Sequence, residues 1–103
     1  MIAHNVYFTL HDRSTAARDH LVAECKRCLA GHPGVLFFAA GSLEPSLARP
    51  VNDRDFDVAL HVVFDDMAGH DKYQEIPIHK EFIALNKDNW SAVRVFDSAV
   101  EGS

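Results

Sequence analysis

The chain has 103 residues, of which 48% are hydrophobic and 24% are charged, and its formal net charge is -5 with histidine neutral. This composition and length predict a single globular domain over residues 1–103. The acidic balance argues against a nucleic-acid or anionic-membrane partner. Neither a leader-like N-terminus nor an apolar run of roughly 20 residues is present, and we expect a cytoplasmic protein.

Residues 1–34 predict a strand and then a helix. Apolar and other side chains alternate from Ile2 to Leu10, which predicts a strand with one strongly apolar face that also carries His4. Ser14 or Thr15 suits the N-cap of a helix that runs to about Ala30. The Gly-His-Pro-Gly segment that follows should end this helix.

Two cysteines, Cys25 and Cys28, lie three residues apart in the predicted helix. Side chains at this spacing have Cβ atoms about 5 to 6 Å apart, whereas a disulfide needs about 3.5 to 4.5 Å. No second cysteine pair or histidine pair completes a zinc site with them. We therefore expect two reduced, structural thiols, as is usual in the cytoplasm.

The middle of the chain predicts two further strands. The continuous apolar run from Val35 to Ala40 is typical of a strand buried on both faces, and Gly41 should end it. Residues 44–54 form a loop that is long for so small a domain and is expected to be mobile, while its action as a lid stays open. Residues 55–64 then predict the most regular strand, whose apolar face carries Phe56, Val58, Leu60, Val62 and Phe64.

The other face of the third strand carries Asp57 and His61. On this face Asp57 is expected to be solvated, to bond across an interface, or to pair with Arg54 or Arg94. After this strand we expect helical segments at 67–74 and 78–85, a last strand from Ala92 to Phe96, and a frayed tail over residues 98–103.

The order strand, helix, strand, strand, helical region, strand predicts the α+β class and a ferredoxin-like βαββαβ protomer. Its four antiparallel strands should carry the helices on one face only. Tyr7, Thr9, Ala59 and Val63 fall on the opposite face, which is too apolar to remain in water. We therefore expect a homodimer in which two sheets meet face to face.

Three short patterns stand out, at the start of the first strand, in the third strand, and around the second helical region. They are His4-x-Val6-x-Phe8, Phe56-Asp57-Val58-Ala59-Leu60, and Tyr73 followed by Pro77-x-His79, with Gly41 and Val95-Phe96-Asp97 in support. Over nearly the whole chain this set resembles the stress-responsive dimeric α/β barrel (Dabb) family.

The resemblance implies a homodimeric barrel and leaves the activity open, because functions in the family are diverse. The family includes olivetolic acid cyclase-type polyketide cyclases, which close a linear polyketide by an intramolecular aldol condensation without a cofactor. Their motif matches His4, Tyr73 and His79 in this sequence. Apolar residues that would then contact the substrate are Val6, Phe8 and Phe82.

These residues suggest a general-base reaction on a carbonyl-rich or polyketide-like substrate. His79 would remove a proton from a carbon next to a carbonyl group, since histidine has an ordinary pKa near 6.5. Tyr73 would donate a hydrogen bond to the carbonyl oxygen, and His4 would orient His79 or the substrate.

A non-catalytic protein of stress-associated binding or assembly is the alternative. In that case His4 and Tyr73 would only satisfy their polar atoms along the seam between sheet and helices. A metal site of His4 with His79 is disfavoured because no carboxylate or thiolate stands at a supporting spacing. A haem or flavin site lacks any motif, so no cofactor is expected.

Overall fold

The computed structural model describes residues 1–102 and contains one antiparallel sheet of four strands, in which the first strand along the chain lies between the third and the fourth, and the second pairs with the third. The helices pack on one face of this sheet, which gives the predicted ferredoxin-like α+β fold. No helix within residues 1–102 has both the length and the apolar character needed to cross a membrane. The elements are β1 (Ile2–Leu10), α1 (Thr15–Leu29), β2 (Val35–Ser42), β3 (Val58–Phe64), α2 (Met67–Glu75), α3 (Pro77–Asn86), a 3-10 turn (Lys87–Asn89) and β4 (Trp90–Ala99).

The core lies between the sheet and the helices, and the period of two in β1 and β3 accounts for its position. Alternate residues of both strands are buried, as predicted, and they contact the buried face of α1. Cys25 and Cys28 belong to this core, are fully buried, and are free thiols. Burial raises the pKa of Cys25 to about 12, so the thiol stays protonated and unreactive at neutral pH.

Local signals set the ends of the helices. Ser14 caps α1 by accepting a hydrogen bond from the Ala17 N–H at 3.2 Å. Asp66 caps α2 in the same way, and proline at the first position of α3 allows that helix to start directly after α2. Gly34 has φ +86° and lies so close to Gly69 of α2 that an added Cβ would be 3.3 Å from its Cα.

The start of the third strand differs from the prediction, because β3 begins at Val58 and the alternation does not extend to residue 56. Phe56 packs edge-on against Tyr7 at a ring separation of 5.0 Å, on the face away from the helices. Asp57 is completely buried on the helix side, bonded to Arg13 and Arg18. The predicted faces of Phe56 and Asp57 were therefore wrong.

The second strand is longer and less buried than predicted. It runs from Val35 to Ser42, so Gly41 lies within it, and within residues 1–102 it is an edge strand that pairs only with β3. Leu36 and Phe37 are 57% and 56% exposed in the single chain. The prediction that β2 is buried on both faces was therefore wrong for the protomer.

The C-terminal segment also differs from the prediction. Strand β4 runs from Trp90 to Ala99, where Ala99 still pairs with Ile2 of β1. The N–H of Val100 then donates to the Met1 carbonyl at 2.9 Å. Residues 98 and 99 are thus part of the sheet rather than a frayed tail, and Val100 is hydrogen-bonded to the residue before β1, while Ser103 lies outside the described residues.

The face of the sheet away from the helices, here called the outer face, is rich in apolar groups, as predicted. The Tyr7 ring contacts those of Phe56, His61 and Phe96 edge-on, with ring separations between 5.0 and 6.0 Å. Phe96 is 52% exposed there. The strand registers place further small and apolar residues on the same face, namely Phe37, Ala39, Ala59 and Val63.

Candidate functional site

A cavity of about 160 Å³ lies between β1, β4 and the helices α2 and α3. Its open side is formed by Ile83, Val93 and Val95, which are 38%, 41% and 49% exposed. All six residues predicted to form the site line this cavity, and their roles stay predictions. They are His4, Val6, Phe8, Tyr73, His79 and Phe82.

His79 lies in the first turn of α3, two residues after the proline that begins this helix. Its Nδ1 atom is buried and has no hydrogen-bond partner among residues 1–102. Burial lowers the pKa of His79, and the nearby His4 and His32 lower it further by charge repulsion. The imidazole is therefore neutral at pH 7, the state in which it can accept a proton.

His4 is held by an acidic residue that was not predicted as part of the site. The register of β1 with β4 places Asp97 directly opposite His4 on the same face of the sheet. The His4 Nδ1 lies 2.5 Å from the Asp97 Oδ1, and His4 is 8% exposed. Because a carboxylate only accepts hydrogen bonds, Nδ1 carries the proton in a neutral His4 and Nε2 carries the lone pair.

The hydroxyl of Tyr73, which was predicted to donate a hydrogen bond to substrate, bonds to the protein backbone in this structure. Its side chain is 1% exposed, and its hydroxyl donates to the Leu29 carbonyl at 3.0 Å. Burial raises the pKa of the phenol well above its usual range. The ring packs edge-on against Phe64 and His79, with separations of 4.9 and 5.2 Å. In this arrangement Tyr73 forms part of the wall and supports the His79 ring.

Two further polar residues of the cavity were also missed by the sequence analysis. Gln74 Nε2 and Trp90 Nε1 are buried and have no hydrogen-bond partner among residues 1–102. Both residues line the same cavity as His79. Buried polar groups without a partner are rare in folded proteins. Together these groups give the cavity a polar character suited to a ligand with hydrogen-bond acceptors.

A larger hollow of about 430 Å³ lies on the outer face, away from His79. The loop that contains Glu44 and Leu47 borders it, and Arg94 holds this loop through Asp53 at 2.7 Å. Arg94 therefore pairs with Asp53 and not with Asp57, which was one of the alternatives predicted for Asp57. Because the loop lies on the outer face, it does not form a lid over the cavity that contains His79.

A metal site of His4 with His79 was disfavoured because no carboxylate was expected near them, but Asp97 lies beside His4. His4, His70 and Asp97 form a group whose potential ligand atoms all lie within 4.8 Å of one another. His79 is not part of this group.

Comparison with known proteins supports the fold and family. The model of the family described as Stress Responsive A/B Barrel Domain (Dabb) matches residues 2–100. No curated protein matches the sequence.

Three solved structures illustrate the similarity of fold. A Dabb family protein from Mesorhizobium loti has a TM-score of 0.78 at 22% identity, covering 98% of this chain and 97% of its own. A dimeric ferredoxin-like protein of unknown function from Thermobifida fusca has a TM-score of 0.78 at 21% identity, covering 96% and 90%. The hydroxynitrile lyase from Passiflora edulis has a TM-score of 0.77 at 16% identity, covering 99% and 94%.

At these identities the solved structures show the fold alone. The family model, in contrast, matches the sequence itself from the first strand to the last. This chain therefore belongs to the stress-responsive A/B barrel domain (Dabb) family.

Proposed function

We propose that the protein is a small, cofactor-independent enzyme that removes a proton from a carbon next to a carbonyl group, as in a polyketide cyclase. The observation that carries this proposal is the buried Nδ1 of His79, which has no hydrogen-bond partner within the described part of the chain and shares its cavity with two other such nitrogens. Its lowered pKa keeps the imidazole neutral at pH 7. A neutral, positioned histidine is a suitable general base.

Two other groups of the cavity can donate hydrogen bonds to the substrate oxygen on which negative charge develops. When the C–H bond breaks, the proton passes to His79. The electron pair of that bond forms a carbon–carbon double bond, and the carbonyl oxygen takes the negative charge of the resulting enolate. The Gln74 amide and the Trp90 indole each offer an N–H donor from the cavity wall. The enolate carbon then attacks a second carbonyl of the same molecule, and the proton on His79 passes to the new alkoxide.

In this reaction His4 would orient the substrate. Asp97 holds the ring by Nδ1, which leaves the Nε2 lone pair free for a substrate hydroxyl or water. The role proposed for Tyr73 is to pack against the base, because its hydroxyl is bonded to Leu29.

The cavity limits the size of the substrate. A closed apolar cavity of about 150 Å³ accommodates one benzene molecule. The cavity beside His79 is similar in volume, at about 160 Å³. Val6, Phe8 and Phe82 provide apolar walls. A longer chain could leave through the open side at Val93 and Val95.

A binding protein without catalysis is the second candidate. The bond of Tyr73 to the Leu29 carbonyl favours it, because one of the three predicted catalytic groups is then engaged in packing. Neighbours of this fold include a hydroxynitrile lyase and a putative antibiotic biosynthesis monooxygenase, alongside proteins of unknown function. The fold is thus compatible with both candidates.

The proposed activity can be tested by ligand binding and proton exchange measured together. Trp90 is the single tryptophan and lines the cavity, so its fluorescence should report binding of small ketones and β-keto acids. For slowly exchanging ketones in deuterium oxide, we expect NMR to show faster deuteration at the carbon next to the carbonyl. Binding without faster exchange would contradict the enzyme and support the binding protein, and no binding would contradict both.

We also propose a cytoplasmic homodimer that forms through the outer face. Two buried free cysteines suit a reducing compartment. The outer face exposes Phe96 and Phe37, and exposed apolar groups on a sheet favour burial against a second sheet. Structural neighbours of this fold are described as dimeric.

Replacing Phe96 with lysine should convert the dimer into monomers at micromolar concentration. The change places a charge within the apolar outer face, where it would lose its water on association. Sedimentation velocity measures the result. Leu85→Lys is the control, because Leu85 is similarly exposed at 59% but lies on α3. Equal sedimentation of the Phe96→Lys and Leu85→Lys variants would contradict an outer-face dimer.

A further inference from the structure

Two histidines and one aspartate from three separate elements meet beside the cavity. His4 comes from β1, His70 from α2 and Asp97 from β4. One potential ligand atom from each lies within 4.8 Å of the other two. We propose that these three residues bind one divalent transition-metal ion, for which Zn²⁺ is the natural probe.

The chemistry of the donors selects the class of ion. Two imidazole nitrogens with one carboxylate oxygen form a common three-ligand set for Zn²⁺, with the fourth position left to water or another ligand. The same set also suits Fe²⁺ and other borderline metals. Mg²⁺ and Ca²⁺ prefer oxygen ligands, so they should bind more weakly.

The His70 ring is already held in a way that suits a ligand. Its Nδ1 lies 3.1 Å from a carboxylate oxygen of Asp71, which leaves Nε2 as the free nitrogen. Histidines that bind metals commonly bond their second nitrogen to a carboxylate, which fixes the tautomer and strengthens the ligand. Asp71 would fill this supporting role.

Phe64 fixes the relative position of the two imidazoles. Its ring is fully buried and lies 6.2 Å from the His4 ring and 5.5 Å from the His70 ring. The His4 and His70 rings themselves are 5.3 Å apart and nearly perpendicular. Two of the three ligands are therefore positioned by packing before an ion arrives, which reduces the entropic cost of binding.

Only small side-chain movements are needed to complete the site. Zn–N and Zn–O bonds of about 2.1 Å in tetrahedral geometry separate the ligand atoms by roughly 3.4 Å. The group spans up to 4.8 Å, while the His4 Nδ1 and the Asp97 Oδ1 are closer, at 2.5 Å. The ion would take the place of the proton between these two atoms, and that proton would pass to solvent. The Asp97 side chain is 50% exposed, so it can rotate and also gives the ion a route from solvent.

The metal site does not depend on the proposed activity. His79, the proposed base, is outside the ligand group, while His4 and Asp97 are shared with the cavity and its support. An ion on His4 would change how that ring meets a substrate. For this reason the test measures metal binding directly rather than turnover.

The test titrates Zn²⁺ into the metal-free full-length protein at pH 7.5 and follows the heat of binding. We expect one ion per chain and at least a tenfold weaker affinity in each of His70→Gln and Asp97→Asn. Asp71→Asn should weaken binding about tenfold, in the range seen for supporting residues. The control His20→Gln changes an exposed histidine on α1 and should bind as the original protein does.

Two results would overturn the proposal. One is the absence of binding to the original protein, and the other is unchanged affinity in both His70→Gln and Asp97→Asn. Thermal unfolding without metal checks that each variant is folded. Since both altered ligands lie at partly exposed positions, at least one variant should fold normally and give a decisive titration.

Discussion

Replacing Asp57 with alanine is expected to lower the free energy of unfolding by about 1 to 3 kcal/mol, the range for leaving a buried hydrogen-bond donor without its partner. Asp57 has no exposed surface and accepts hydrogen bonds from three residues. They are the Leu10 N–H at 2.8 Å, the Arg13 Nε at 3.0 Å and the Arg18 Nε at 3.0 Å. Alanine would leave both guanidinium groups and a buried N–H without their acceptor.

Urea unfolding at pH 7 and a fixed protein concentration measures this effect. Glu75→Ala is the matched control, because Glu75 pairs with Lys80 at 3.3 Å but both side chains are mostly exposed. Such surface pairs contribute less than about 1 kcal/mol. A loss in Asp57→Ala no larger than that in Glu75→Ala would show that the arginines find water or other partners at no cost.

The pH dependence provides a second check on Asp57. Burial alone would raise the pKa of Asp57, but the bonds from Leu10, Arg13 and Arg18 outweigh it and hold the pKa below 3.8. A depressed carboxylate pKa stabilises the fold above the unfolded-state value and loses this contribution as the pH falls below it. The difference between original protein and variant should therefore be constant from pH 7 to 5 and shrink below about pH 4.

Asp57 also shows why a local pattern predicted the sheet but placed Phe56 and Asp57 on the wrong faces. The alternation in residues 58–64 follows from the geometry of a strand, and burial confirms it. At Asp57 the deciding groups are Arg13, Arg18 and the Leu10 N–H, which come from a distant part of the chain. The alternation of residues within one strand contains no information about these donors, so extending it past the end of the strand gave the wrong face for Asp57.

The candidate site was likewise predictable where it depends on short motifs, and not where it depends on contacts between distant segments. Short motifs were sufficient to bring His4, Tyr73 and His79 to one cavity. The pairing of His4 with Asp97 depends on the register between β1 and β4, which no single segment specifies. That Gln74 Nε2 lacks a partner is a property of its buried surroundings, so it was visible only in the structure.

Replacing His79 with glutamine is expected to slow the proposed deuterium exchange by about 10² to 10⁴, the usual contribution of a general base. Glutamine keeps a polar side chain of similar length but cannot accept a proton at neutral pH. Ligand binding, followed by Trp90 fluorescence, should change much less than the exchange rate. The control is His11→Gln, because His11 is exposed and is not a lining residue of the cavity.

The pH profile separates His79 from an indirect structural effect. Burial, with smaller contributions from His4 and His32, lowers the pKa of His79 below 6.5, and only the neutral form is a base. The exchange rate of the original protein should therefore fall as the pH is lowered, with its midpoint below pH 6.5. His79→Gln should lack this decline. Full exchange activity in His79→Gln, with loss in His4→Gln, would instead assign the base to His4, whose ring is held by Asp97.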